Sequence, residues 1–196
     1  MNLYTLYYKL VFRILRIKYG KNLKVYGKIF IEDYKNCTLV IGDNVKIYPY
    51  VHFKFYEDTK IFIGNEVKLD SFTRYVVANS SEIRIGDFTK IGKSTVINAG
   101  ANLFIGSKNL IAQNCSINSS SHNFNDKSDI ISQGYNHKKV ELEENIWLGA
   151  NVVINPGTLI EKNTIIGAGC NIKTHIKKNS IVKNNSDLII EKNENY

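Results

Sequence analysis

Three cysteines, two prolines and one tryptophan are all that a chain of 196 residues holds of those types. An odd number of cysteines excludes a fully paired disulfide framework, and none of the three sits in a CxxC, so a reducing compartment fits them. The four histidines lack the close pair and third partner of a zinc site, so no metal is expected. Acids are missing from residues 1–28, where Lys9, Arg13, Arg16, Lys18, Lys21, Lys24 and Lys28 carry seven of the eight excess positive charges. Long apolar runs are absent as well. Leu3, Leu6, Leu10, Ile14 and Ile17 recur at helical spacing, with Tyr7 and Val11 widening the stripe, but Lys9, Arg13 and Arg16 interrupt it. That segment is too short and too charged to span a bilayer. No small-residue cleavage site follows it, which argues against a secretory signal.

What is present is a period of six. Leu148, Ile154, Ile160, Ile166 and Ile172 mark it, and a small or β-branched residue follows four places on at Val152, Thr158, Thr164 and Cys170. Neither a helix nor an ordinary strand repeats in this way. The pattern gives each short strand one large and one small inward side chain, with Gly or Asn turning the corner to the next. Three such sides close one coil of a parallel β-helix, so the expected class is all-β. Upstream, the pairs Ile41-Gly42, Ile63-Gly64, Ile85-Gly86 and Ile105-Gly106 repeat the same grammar at a wider interval. That interval exceeds the roughly 18 residues that three hexads supply, so the third side of each early coil is expected to bulge. Cys115 and Cys170 take the small inward position, which makes them packing residues.

The expected organisation is a basic amphipathic helix over 1–24, a β-helix over 25–186 and a charged tail over 187–196. The helix is expected to pack on the end of the solenoid or on a partner subunit, with peripheral contact to an anionic membrane as the competing reading. After Ile172 the repeat slips register. A polar stretch over 118–141 cannot be wound into the stack, and long loops on a rigid scaffold are where function tends to reside.

Two stretches carry a resemblance. Leu110-Ile111-Ala112-Gln113-Asn114 through His122, and Asn145-Ile146-Trp147-Leu148-Gly149-Ala150-Asn151-Val152-Val153-Ile154-Asn155-Pro156-Gly157, resemble the hexapeptide-repeat acyltransferases, in particular galactoside, maltose and capsular polysaccharide O-acetyltransferases. The resemblance implies a left-handed β-helix, a homotrimer with active sites between subunits, acetyl-CoA as acyl donor and a carbohydrate acceptor. By the same resemblance His122 is the general base, a role that suits a group titrating near neutral pH. The amide of Ala150 matches the position that stabilises the oxyanion of the thioester carbonyl. Trp147 matches a position lining the acceptor pocket, and the amides near Ala168 match the groove of the pantetheine arm, which Gly149, Gly167 and Gly169 would keep shallow. The phosphate-binding lysine is not at its usual place in the terminal segment, which leaves Lys173 or Lys177 to substitute.

Asp126, four residues beyond His122, is a candidate to orient that imidazole. Asn98 on the preceding coil and His137 on the same loop are candidates to touch the acceptor. His52 and His175 are expected to be structural. No dinucleotide-like, long helical or C-terminal helical domain is visible, which narrows the enzyme reading to O-acetylation of a surface or capsular polysaccharide. The basic balance leaves room for an acidic glycan such as a sialic acid polymer. An amino-sugar N-acetyltransferase and a non-catalytic assembly subunit are the competing readings. Nucleic-acid binding is disfavoured, because the basic residues cluster without a recognition motif. The expected location is the cytoplasm, at or near the inner membrane.

Overall fold

The computed structural model describes residues 2–124 and 128–184. The chain winds into a left-handed parallel β-helix with three faces of seven, eight and seven parallel strands. Rungs about 4.8 Å apart give a prism roughly 35–40 Å long.

The six-residue grammar becomes burial in a direct way. Because successive side chains on a strand point to opposite sides, one large residue per side turns inward. On the first face Ile41, Ile63, Ile85 and Ile105 stack in register and are only 2–3% exposed. On the second face Leu148 and Ile166 do the same and are fully buried. Val152, Thr158, Thr164 and Cys170 fill the inner corners, as their spacing requires. Hydroxyls at these corners are bonded to the neighbouring coil: Thr89 Oγ1 donates to the Gly106 carbonyl at 2.9 Å and Thr95 Oγ1 to that of Ala112 at 3.0 Å. Burial pushes the Cys115 thiol up from its ordinary value, which suits a packing group.

One outer corner places Asn22, Asn44, Asn145, Asn163 and Asn179 at φ between 54° and 59°. Asparagine tolerates that left-handed conformation because its short amide bonds locally. Here the amides form ladders, with Asn145 donating to Asn163 at 2.9 Å and Asn163 to Asn179 at 3.2 Å.

The longer early coils differ from expectation. Their extra residues do not bulge one side; they lengthen the strands of both the third and first faces, as in His52–Phe55 and Lys60–Ile63. The register slip after Ile172 is a shortened corner. Leu142 pairs with Ile160, and Ile160 in turn bridges to Ile176 instead of to the position a full hexad beyond Ile172. Ile181–Val182 then pairs with Ile165–Ile166, so the stack is recovered on the next face.

Helix α1 (Leu3–Ile14) closes the first coil, capped by the Asn2 side chain, which accepts from the Thr5 amide at 2.8 Å. The face it docks is not the leucine stripe. Thr5, Tyr8 and Phe12 are buried, whereas Leu3, Leu6, Leu10 and Ile14 are 81, 56, 59 and 71% exposed. Hydrogen bonding explains the choice, because the first coil has no preceding coil to satisfy its backbone. Thr5 Oγ1 accepts from the Val25 amide at 2.9 Å and donates to the Val25 carbonyl at 3.1 Å. Tyr8 Oη accepts from the Ile29 amide at 2.8 Å and donates to the Ile29 carbonyl at 3.0 Å. A leucine in either place would leave both groups buried and unpaired. Among the described residues no helix is long and apolar enough to cross a membrane.

Candidate active site

The polar stretch leaves the prism after the third-face strand Ser116–Asn118 and folds as an antiparallel hairpin of Ser120–His122 with Tyr135–His137. It rejoins the first face at Val140–Leu142. His122 stands opposite Tyr135 across the hairpin, and its ring centroid lies 4.3 Å from that of Tyr135. The imidazole is exposed, and among the described residues neither nitrogen has a hydrogen-bond partner. Asp126 lies outside the described residues.

His137 is held at both nitrogens. Asn79 Nδ2 donates to the Gly100 carbonyl at 3.2 Å and lies 2.9 Å from His137 Nε2, so Nε2 accepts. Nδ1 then carries the proton and donates to Ser120 Oγ at 2.8 Å. Gly100 makes room for this arrangement. A Cβ there would stand 2.5 Å from His137 Nδ1 and would also collide with Ser120 Oγ.

A groove of about 500 Å³ opens between the hairpin and the third face, and His122, Tyr135, His137, Asn98, Asn118 and Tyr56 line it. Asn98 donates to Asn118 Oδ1 at 3.0 Å, and Asn118 in turn donates to Ser116 Oγ at 2.9 Å. The fold thus gathers His122, Asn98 and His137 into one polar recess. A larger hollow lies beside α1, but among the described residues no histidine lines it.

The other candidates occupy a different edge. Gly149, Ala150, Gly167 and Ala168 form the corner between the second and third faces, where Gly169 N–H donates to the Ala150 carbonyl at 2.9 Å. The amides of Ala150 and Ala168 donate to no acceptor among the described residues, so both are available to a ligand. A Cβ on Gly149 would stand 2.6 Å from the Ala168 nitrogen and break the stacking there. Trp147 lies on the second face, about half exposed at 49%. Lys173 and Lys177 are exposed on the last coil. Within one chain this corner and the hairpin flank opposite edges of the third face, about five residues or 15 Å apart. One chain does not bring them together.

Sequence reasoning did not find Tyr135, Asn79, Ser120 or Gly100. Nothing local marks them, since their pairing depends on where a long excursion returns over the preceding coil. His52 and His175 each meet a carboxylate, Glu32 at 3.2 Å and Glu161 at 2.7 Å.

Residues 139–174 match the family described as bacterial transferase hexapeptide (six repeats). These residues carry the hexapeptide repeat of that family. A galactoside O-acetyltransferase from Lactococcus lactis subsp. lactis is 38% identical over 81 residues, which are 40% of this chain and 38% of the relative. The chain therefore spans well under half the length of the curated relative it matches. The fold extends much further. The solved structure of the polySia specific acetyltransferase NeuO matches with a TM-score of 0.66 at 19% identity, over 91% of this chain and 89% of that one. AntD, an N-acyltransferase from Bacillus cereus solved with dTDP-4-amino-4,6-dideoxyglucose and Coenzyme A, matches with a TM-score of 0.60 at 17% identity, over 89% and 82%.

Proposed function

We propose that the protein transfers an acetyl group from acetyl-CoA to a hydroxyl of a carbohydrate, with His122 as general base. The observation that carries this reading is the exposed imidazole of His122, without a hydrogen-bond partner among the described residues, in a recess lined by the Asn98 and Asn118 amides. Side-chain amides suit the vicinal hydroxyls of a sugar, which both donate and accept. In the reaction the acceptor oxygen attacks the thioester carbonyl as His122 takes its proton. The carbon–sulfur bond then breaks, and the imidazolium returns that proton to the departing thiolate. The free amide of Ala150 stabilises the oxyanion between those two steps. Ala168, one coil on, offers a second free amide for the pantetheine arm between Gly149 and Gly167, and Lys173 or Lys177 meets the phosphates.

Because His122 and Ala150 flank opposite edges of one prism, the reading requires a neighbouring copy to supply the second half of the site. We assign that role to a homotrimer, in which Trp147 of one subunit walls the acceptor recess of the next. The free apolar face of α1, rimmed by Arg13 and Arg16, supports peripheral contact with anionic lipid, which sedimentation with vesicles tests.

The deciding experiment incubates the protein with labelled acetyl-CoA and a panel of mono-, oligo- and polysaccharides, some bearing free amines, and follows the label by mass spectrometry. Label on oxygen supports this reading, and label on nitrogen makes the protein an amino-sugar N-acetyltransferase. No transfer to any acceptor from a folded trimer leaves a non-catalytic assembly subunit.

A further inference from the structure

The second face carries a column of lysines. Lys24, Lys46, Lys68 and Lys90 occupy the same outward position on four successive coils and are paired rung to rung. The next two rungs of that column are Leu110 and Trp147. At about 4.8 Å per rung the four ammonium groups span roughly 14 Å, and Trp147 stands about 10 Å beyond the last of them.

Like charges on adjacent strands oppose folding. Lys24, Lys46 and Lys90 have no partner to relieve that cost among the described residues. Lys68 is paired with Asp70 at 3.0 Å and lies over the Tyr48 ring at 4.7 Å. The acids facing the column are Glu66, which lines the hollow at its far end, and Asp70.

Two hollows follow the column. One of about 630 Å³ is lined by Lys9, Lys24, Lys46 and Tyr26 beside α1. The other, of about 470 Å³, joins Lys68, Lys90 and the corner residue Lys93 to Leu110 and Trp147. Aromatic surface is available near both ends, in the paired rings of Tyr26 and Tyr48, 4.8 Å apart, and in half-exposed Trp147. Sugars offer C–H faces to aromatic rings, and a row of ammonium groups matches a row of anions.

We propose that this face binds an acidic polysaccharide, one with an anionic group on successive sugars, and leads it past Trp147 to the site. The inference rests on the carbohydrate-acceptor reading and adds the charge and length of the acceptor. A dry contact with a second copy does not suit the column, because it would bury unpaired lysines. A bilayer does not suit it either, since the lysines line hollows rather than a plane.

The test measures binding of the full chain to fluorescent polygalacturonate, to its methyl ester and to poly-N-acetylneuraminate. Double-stranded DNA is the competing polyanion. We expect an acidic glycan to bind in a salt-sensitive way, and the methyl ester to bind far more weakly. The triple variant Lys24→Gln, Lys46→Gln, Lys90→Gln should weaken acidic-glycan binding by about ten- to a hundredfold. Its melting temperature should stay level or rise as repulsion is removed, which separates lost binding from lost folding. Transfer to a short neutral sugar should not change. Equal binding of the methyl ester, an unaffected triple variant, or DNA bound more tightly than either glycan would overturn the proposal. Binding is read without turnover, so failure of acetyl transfer would count against the proposed reaction alone.

Discussion

The rings of His122 and Tyr135 face each other across the hairpin with centroids 4.3 Å apart and planes inclined at 39°, and Tyr135 is in turn stacked on His137 at 5.7 Å. His137 is fixed by Ser120 and Asn79, so the row of three rings ties the His122 imidazole to the body of the prism. If His122 is the base, His122→Ala should lower turnover by about 10²–10⁴-fold with donor binding and assembly intact. Tyr135→Ala should leave the base in place and loosen its position, so a smaller loss of turnover is expected, largely restored in Tyr135→Phe. Steady-state kinetics of the three variants on one acceptor decide this; full activity in His122→Ala would remove the mechanism.

Gly100 gives a test that touches no group of the reaction. A methyl group at that position must displace His137 or Ser120, and the hairpin is the part free to move. Gly100→Ala should therefore reduce activity severalfold or more, while the melting temperature of the prism shifts little. If the variant is instead fully active, the His137 anchor has no bearing on the site. Crowding of this kind typically costs about 1–3 kcal/mol, and here the loop absorbs it.

The prism was legible because its grammar is local. Each hexad fixes its own inward pair, so Ile41 through Ile166 could be placed without knowing any long-range contact. Helix α1 was legible as a helix and misleading as to its face. Hydrophobic periodicity points to Leu3, Leu6, Leu10 and Ile14, but the end coil needs donors and acceptors more than it needs apolar cover, and only the Thr5–Tyr8 face supplies them. The recess divides in the same way. His122 and Asn98 could be named from the sequence, whereas Tyr135, Gly100 and Asn79 meet only because the hairpin returns over an earlier coil. The column of lysines recurs at the same interval as the early Ile-Gly pairs, so the repeat itself carries it; strand pairing adds only that Leu110 and Trp147 continue that column.

Closure of the first coil by side-chain hydroxyls makes a specific claim about stability. Thr5→Val keeps the shape and loses the hydroxyl that serves both Val25 groups, and Tyr8→Phe does the same at Ile29. Each should cost about 1–3 kcal/mol, the penalty for leaving a buried backbone group unpaired. Urea unfolding measures the loss. Leu6→Ala and Leu10→Ala on the free face should cost little in the isolated protein, and a large loss there would place the leucine stripe in a packed interface.

At the far end the carboxylate of Glu161 receives the Lys178 amide at 3.0 Å and the His175 ring at 2.7 Å. The Lys178 hydrogen bond first, and His175 second, hold its pKa below the ordinary carboxylate value. A carboxylate lowered on folding stabilises the folded form at pH above its unfolded value, and that contribution fades as pH falls through the lower folded value. Glu161→Gln retains an acceptor oxygen but not the charge. The difference in melting temperature between the parent and Glu161→Gln should be largest near neutral pH and should close as pH falls below the ordinary carboxylate range. The group is only partly buried, so the difference will be small, and amide exchange at Lys178 is the more sensitive reading. Parallel curves at every pH would mean that the last coil is held by its backbone pairing of Ile176 and Ile181 alone.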